Sequence, residues 1–157
     1  MKPRISRRQT VFALLAAPLT LTGCGGGTSA NEPPAIAYGE TPCARCGMII
    51  SEARHAAGLA AKDAILTFDD TGEMIATVQE RGSSSSRVWV HDFATATWID
   101  GVTAFYVASP RAATPMGSGV VAFADRSQAD AHAAANGGAV MTYREIETNW
   151  TLPARAT

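Results

Sequence analysis

The chain has no excess of basic charge, few cysteines and no long apolar run. Its 13 lysine and arginine residues are matched by 14 aspartate and glutamate residues, which argues against nucleic acid as a partner. Three cysteines are too few for a disulfide framework. The sequence also lacks Gly-x-Ser-x-Gly, His-Glu-x-x-His and phosphate-loop motifs, so we do not expect hydrolytic chemistry.

The N-terminal residues have the composition of an export signal. A start rich in lysine and arginine leads into an apolar stretch over residues 11–21. That stretch is about half of the roughly 20 residues needed to cross a bilayer, so it predicts a signal peptide over residues 1–23 and no membrane-spanning helix. Ser6-Arg7-Arg8 also resembles the start of a twin-arginine signal, which leaves the export route open.

The apolar stretch closes with Leu21-Thr22-Gly23-Cys24. This sequence resembles the lipobox of bacterial lipoproteins, in which the cysteine is diacylated and becomes the first mature residue. The resemblance implies that Cys24 anchors the protein to a membrane and that the domain faces the periplasm. Gly25 follows where an inner-membrane retention signal would have aspartate, which by analogy favours the outer membrane.

The mature chain is expected to form one domain. Residues 24–34 are dominated by glycine, serine, threonine, asparagine and proline, which is typical of a flexible tether. Residues 35–150 are long enough for one modest hydrophobic core. Residues 151–157 are predicted to be a disordered tail.

An internal repeat indicates the fold. Residues 65–74 align with residues 120–129, so that Asp70 corresponds to Asp125. Each copy predicts a short buried strand, an aspartate that caps a helix, and a helix that ends at the next glycine. Strand-like segments precede each copy, at 54–61 and 102–109, and follow it, at 87–91 and 139–145. The sequence therefore predicts an α+β domain of two pseudo-symmetric ββαβ units.

The most reactive stretch carries three sulfur atoms. Cys43, Cys46 and Met48 lie within six residues, in a turn that contains Pro42 and Gly47. Soft sulfur ligands favour Cu(I), whereas Zn²⁺ accepts thiolates but gains little from a thioether. In an extended segment, Cys46 and Met48 would project to the same side and hold one ion.

Two other interpretations of the Cys43–Cys46 pair stay open. One is a redox-active dithiol as in thioredoxins, although that motif opens a helix and here residues 49–50 lead into a strand pattern. The other is a structural disulfide. The spacing alone does not decide between a metal site, redox chemistry and a bridge.

A further methionine and a histidine are candidate ligands. Met116 lies on a loop rich in proline and glycine, whereas Met74 and Met141 fall in helical and strand patterns typical of packing. His91 ends a predicted strand and is followed by Asp92, whose carboxylate can orient an imidazole. We expect His55 and His132 to lie on the surface.

Several motifs in one order resemble the NosL family of copper lipoproteins, which are accessory factors for assembling the copper sites of nitrous oxide reductase. The resemblance runs from Cys43 to about Tyr143. It rests on Cys46-Gly47-Met48-Ile49-Ile50, His91-Asp92-Phe93, Trp98, Ala104-Phe105-Tyr106-Val107, Thr114-Pro115-Met116-Gly117 and Ala122-Phe123.

The NosL resemblance implies a protein that carries copper and is not an enzyme. It would bind one Cu(I), received from a copper donor, and pass it to a membrane complex or to nitrous oxide reductase during denitrification. Carried over by position, the ligands are Cys46, Met48 and Met116, with Cys43 and His91 as further candidates. The alternative function is a thiol-disulfide oxidoreductase that uses Cys43 and Cys46.

Overall fold

The computed structural model describes residues 31–82 and 87–154. The predicted signal peptide, the lipidation candidate Cys24 and the last residues of the predicted tail lie outside this part of the chain. Within it, no helix is long and apolar enough to cross a bilayer. Pro34 is buried and packs over Gly58, so the packed part of the chain begins slightly before residue 35.

The described residues form two antiparallel sheets and three α-helices. The sheet orders are β2-β1-β3-β4 and β6-β5-β7, which confirms the predicted α+β class. The strands are β1 (Ala57–Ala60), β2 (Ile65–Phe68), β3 (Arg87–His91), β4 (Trp98–Asp100), β5 (Phe105–Ala108), β6 (Val120–Phe123) and β7 (Ala139–Thr142), and the helices are α1 (Thr71–Arg81), α2 (Arg126–Asn136) and α3 (Tyr143–Asn149).

Both copies of the repeat form the predicted ββαβ unit. The first unit is β1-β2-α1-β3 and the second is β5-β6-α2-β7, and in each the first strand lies in the middle of the sheet. Asp70 caps α1 by accepting a hydrogen bond from Gly72 N at 2.8 Å, and Asp125 caps α2 through Gln128 N at 3.1 Å. The order of elements is thus confirmed, while a symmetry axis between the units stays a prediction.

The structure differs from the sequence-based prediction after β7. The strand pattern was expected to continue to residue 145, but helix α3 begins at Tyr143. Thr142 and Glu145 form a capping box, in which each side chain bonds the backbone N–H of the other residue. This box satisfies two N–H groups at the helix start and fixes the end of the strand.

Helix α1 lies in the interior of the domain. It packs against β1 and β2 of the first sheet, β6 of the second sheet and α3, and residues 71–78 are all buried. Met74 is fully buried, so its predicted role in packing is confirmed. The start of α1, with the residues just before it, is therefore held from several sides.

The remaining face of the second sheet is covered by α2. Val107, Val121, Phe123 and Ala129 form a separate buried cluster there. The two sheets meet where Asp92, just after β3, forms a parallel bridge with Ala122 in β6.

Candidate metal centre

The cysteine pair lies on a tight turn. Ile50 N donates to Thr41 O at 2.9 Å and Cys43 N donates to Met48 O at 2.7 Å, so the two ends of the segment run side by side. Gly47 has φ +76°, a left-handed conformation that glycine adopts at little cost. Ile50 is fully buried and anchors the turn to the core.

Cys46 and Met48 do not lie on one extended segment, as the sequence analysis expected. Residues 44–46 form a turn, and Gly47 between the two candidate ligands is in the left-handed region. Cys46 is partly buried, and its thiol donates to Asp69 Oδ1 at 3.5 Å. Met48 is 55% exposed.

Four potential ligand atoms converge beneath the turn. They belong to Cys43, Cys46, Asp69 and Glu73, and all lie within 4.8 Å of one another. The Cys43 thiol donates to Glu73 Oε2 at 3.2 Å. The side chains of Cys43, Asp69 and Glu73 are buried, so this group of four donors, hereafter the thiol-carboxylate cluster, is mostly closed to solvent.

The two carboxylates of the cluster were not predicted. Asp69 precedes the helix cap Asp70, and Glu73 lies in the first turn of α1. The sequence interpretation used only Asp70, as a cap. No helical spacing relates the two residues, because Asp69 lies before the cap and outside the helix.

Burial keeps both thiols protonated at neutral pH. It raises the pKa of Cys43 from about 9 to about 12 and also raises the pKa of Cys46. Both cysteines are free thiols in this structure. Redox-active CxxC motifs instead depend on a thiol with a lowered pKa, so the electrostatics of this pair do not favour thioredoxin-like chemistry.

The loop that carries Met116 is bonded to the start of α1. Met116 N donates to Asp70 Oδ2 at 3.0 Å, and Asp70 is the neighbour of Asp69 in the thiol-carboxylate cluster. Met116 itself is partly buried. The structure therefore brings this loop to the same helix start that faces the cysteine turn.

A surface cavity of about 420 Å³ connects the turn with this loop. Met48 contributes from one side, and the segment just before Met116 contributes from the other. The lining residues are Met48, Ser51, Glu52, His55, Ala113, Thr114 and Pro115.

A family model of NosL matches residues 35–151. The chain belongs to the NosL family. The copper-binding lipoprotein NosL from Stutzerimonas stutzeri is 30% identical over an alignment of 151 positions, and the alignment covers 88% of this chain and 79% of that protein. The crystal structure of the copper chaperone NosL from Shewanella denitrificans has the same fold, with a TM-score of 0.67 and 22% identity over 73% of this chain and 95% of the other.

His91, a ligand candidate from the NosL resemblance, has other partners. Its Nδ1 lies 2.9 Å from Ala56 O and its Nε2 lies 3.1 Å from the Tyr38 hydroxyl. The ring stacks on Trp98 at a centroid distance of 3.7 Å, and burial lowers the pKa of His91. The structure does not bring this histidine into the thiol-carboxylate cluster.

Asp92 does not orient His91 in this NosL-family chain. Its carboxylate accepts hydrogen bonds from Thr95 N at 3.1 Å, from Thr95 Oγ1 at 2.6 Å and from Ala124 N at 3.2 Å. Asp92 therefore organises its own loop and the contact between the sheets.

The surface position expected for His55 is wrong. Only 5% of His55 is exposed, and its Nε2 lies 3.6 Å from Glu52 Oε2 at the surface cavity. His132 is partly buried. Both rings pack on Phe93, at centroid distances of 5.5 and 5.2 Å, because Phe93 fills the space between β3 and α2.

Proposed function

We propose that this NosL-family chain is a periplasm-facing lipoprotein that binds one Cu(I) ion and passes it to another protein. A relative with 30% identity is described as a copper-binding lipoprotein, and a solved structure of the same fold is described as a copper chaperone. The observation that carries the proposal is an exposed thioether, Met48, two residues after Cys46 on the turn, at a cavity that the segment before Met116 also lines.

We propose Cys46, Met48 and Met116 as the Cu(I) ligands. One thiolate and two thioethers are soft donors that match Cu(I). Met48 is 55% exposed, which leaves its side of the ion open to an incoming ligand, as transfer requires. Cys43, whose side chain is buried, is a further candidate ligand. His91 is left out of the set because both of its ring nitrogens have partners.

Lipid attachment at Cys24 would hold this site near a membrane, with the outer membrane favoured. A copper donor would deliver Cu(I) at the exposed side of the site, where Met48 lies. The recipient would be a copper-accepting membrane complex or nitrous oxide reductase, whose copper sites need assembly. The choice of nitrous oxide reductase as the recipient follows from the family resemblance.

The main experiment is an anaerobic Cu(I) competition titration against a chromophoric chelator. The protein is the reduced mature chain with Cys24→Ala, which removes the lipid and a third thiol. We expect one equivalent of tightly bound Cu(I). Absence of stoichiometric binding under these conditions would refute the copper proposal.

Substitutions then identify the ligands. Cys46→Ser removes the thiolate, so we expect at least a 100-fold loss of affinity, equivalent to about 2.7 kcal/mol. Met116→Leu keeps the volume but removes a thioether, and we expect roughly a tenfold loss. Met141→Leu is the matched control, because Met141 packs against the core; the same loss there would discount Met116 as a ligand.

The competing function is thiol-disulfide exchange by Cys43 and Cys46. It predicts a disulfide reductase activity that is lost in Cys43→Ser and indifferent to Met116→Leu. The raised pKa values of both thiols argue against it, since the thiolate is the attacking species. An insulin reduction assay on the reduced chain distinguishes the two functions.

A further inference from the structure

We propose that Trp150, which follows the last residue of α3, is a positioning residue for the methionine loop, the segment 109–119 between β5 and β6. Its indole ring lies against the start of α1, beside this loop, and limits how far the loop can move. Trp150 acts on the site only through the loop that carries Met116. The consequence for copper rests on the proposed function, whereas the restraint of the loop does not.

The ring of Trp150 and the side chain of Ser118 meet over Gly72, in the first turn of α1. A Cβ atom on Gly72 would lie 2.8 Å from Trp150 Cη2 and 2.4 Å from Ser118 Cβ, closer than real Cβ atoms approach other atoms. Glycine is therefore the residue that lets both side chains come so near the helix. The C-terminal segment and the methionine loop thus reach the same point on α1.

The backbone of Trp150 is held by α1 and α3. Gln79 Nε2, from α1, donates to Trp150 O and to Glu147 O, both at 2.8 Å. Trp150 N donates to Ile146 O at 3.2 Å, which closes α3. Because both backbone groups of Trp150 are bonded, its ring has a fixed base from which it can restrain the loop.

The methionine loop borders open space on the side of Trp150. A cavity of about 410 Å³ is lined by Gly117 and Ser118 of the loop, by residues 108–110 at its base, and by Trp150 and Pro153 of the C-terminal segment. The loop is therefore not packed from this side by its own atoms. Trp150 is the wall of the cavity that also contacts α1, so its ring keeps the end of the loop at the helix.

Met116 consequently lies between two restraints. Its N–H is bonded to Asp70 Oδ2 at 3.0 Å, and the two residues that follow it border the cavity with Trp150. A binding site works only when its donors are held to within about 0.5 Å by the groups around them. Without the indole ring the loop can move into the cavity, and the Met116 sulfur is then less often in place to bind an ion.

Amide hydrogen exchange of the metal-free mature chain with Cys24→Ala tests the restraint directly. Trp150→Phe keeps an aromatic ring but removes the end of the indole that reaches α1. We expect the amide protons of Met116 and Gly119 to exchange about tenfold faster, relative to amides of the β5–β6 pair in the same protein. Unchanged relative exchange in Trp150→Phe would overturn the proposal.

Ile146→Val is the matched control, because Ile146 is buried in the same helix and its substitution lowers stability without changing the cavity. There the loop and the β5–β6 amides should change by the same factor. An equal change of both sets in Trp150→Phe would mean a general loss of stability and would overturn the proposal. Gly72→Ala, which places a methyl group where the Trp150 and Ser118 side chains meet, should raise the relative exchange while keeping the tryptophan, in case Trp150→Phe fails to fold.

A Cu(I) competition titration connects the loop to the proposed function. We expect Trp150→Phe to bind Cu(I) about fivefold more weakly than the parent, and Ile146→Val to keep the parent affinity. Faster loop exchange with unchanged Cu(I) affinity would overturn the role of Trp150 in positioning Met116. If the parent chain itself binds no Cu(I), the copper proposal fails, and the exchange rates alone decide whether Trp150 restrains the loop.

Discussion

The two cysteine thiols of the turn differ in how deeply they are buried, although only two residues lie between them in the sequence. Cys43 is 3% exposed and burial raises its pKa to about 12, while Cys46 is only partly buried. The reactive form of a cysteine is the thiolate. The thiol that meets an incoming reagent or ion first is therefore expected to be Cys46.

This difference predicts the order of alkylation by iodoacetamide. With a pKa of about 12, about one Cys43 side chain in ten thousand is a thiolate at pH 8. We expect Cys46 to react at least tenfold faster than Cys43, and the Cys43 rate to rise tenfold per pH unit up to about pH 12. Mass spectrometry of peptides at timed intervals measures both rates.

The control for the alkylation experiment is the same chain in concentrated urea, where burial is lost. Both cysteines should then react at similar rates. Equal rates in the folded protein would contradict the burial of Cys43, and faster reaction of Cys43 would reverse the proposed order of access.

At the residue scale, the sequence pointed to the sulfur-bearing residues of the turn but not to the carboxylates beneath it. Cys43, Cys46 and Met48 were visible because cysteine and methionine are rare and were clustered. Asp69 and Glu73 were not, because carboxylates are common and their burial depends on how α1 packs. Their position beneath the turn is a tertiary contact that no local pattern records.

At the scale of elements, Asp70 connects helix α1 to the methionine loop. One carboxylate oxygen caps the helix through Gly72 N at 2.8 Å. The other accepts the hydrogen bond from Met116 N at 3.0 Å. Asp70 is fully buried, so both bonds are sheltered from water. The same side chain thus stabilises the helix and positions the loop.

The repeat supplies a matched pair of variants that separates these two roles. Asp70→Ala and Asp125→Ala each remove a helix cap, which costs about 1 kcal/mol. Asp70→Ala also leaves Met116 N without its partner, so we expect a total loss of roughly 2 to 3 kcal/mol. Chemical denaturation measures the free energy of unfolding of both variants.

Copper affinity is the second readout of this pair. We expect Asp70→Ala to weaken Cu(I) binding several-fold, because the Met116 loop is released, and Asp125→Ala to leave it unchanged. Equal copper affinities in the two variants would show that the loop contact does not serve the metal site.

The two caps also show which elements a sequence can predict. Asp70 and Asp125 each precede a helix that ends at a glycine, so both helices follow from local rules. Helix α3 was missed because residues 139–145 read as one strand-like segment. The capping box of Thr142 and Glu145 was present in the sequence, but the β-branched and aromatic residues around it favoured a strand.

At the scale of the whole molecule, Asp92 couples the two sheets. The chain leaves β3 and forms a bridge with β6, in which Phe93 N donates to Ala122 O at 2.8 Å. The Asp92 carboxylate accepts from Ala124 N on the far side and from Thr95 in its own loop. A single buried carboxyl group therefore ties the two ββαβ units together next to the backbone bridge.

Asp92→Ala should weaken both the stability of the domain and its cooperativity. The substitution removes the acceptor of the N–H groups of Thr95 and Ala124, whose bonds to Asp92 are partly buried, and each lost bond costs about 1 kcal/mol. We expect the free energy of unfolding to fall by roughly 1 to 3 kcal/mol. Urea denaturation followed by far-ultraviolet circular dichroism measures this change.

Tryptophan fluorescence tests the cooperativity in the same samples, because two of the three tryptophans, Trp89 and Trp98, lie in the first sheet. If Asp92 couples the units, the fluorescence and circular dichroism transitions coincide in the parent protein and separate in Asp92→Ala. Asp100→Ala is the control, since the Asp100 side chain bonds Val102 N just after β4 and Arg87 in the neighbouring strand β3, not the second sheet, and its loss should leave the transitions coincident. Coincident transitions in Asp92→Ala would mean that core packing around α1, which touches both sheets, couples the units without this carboxyl group.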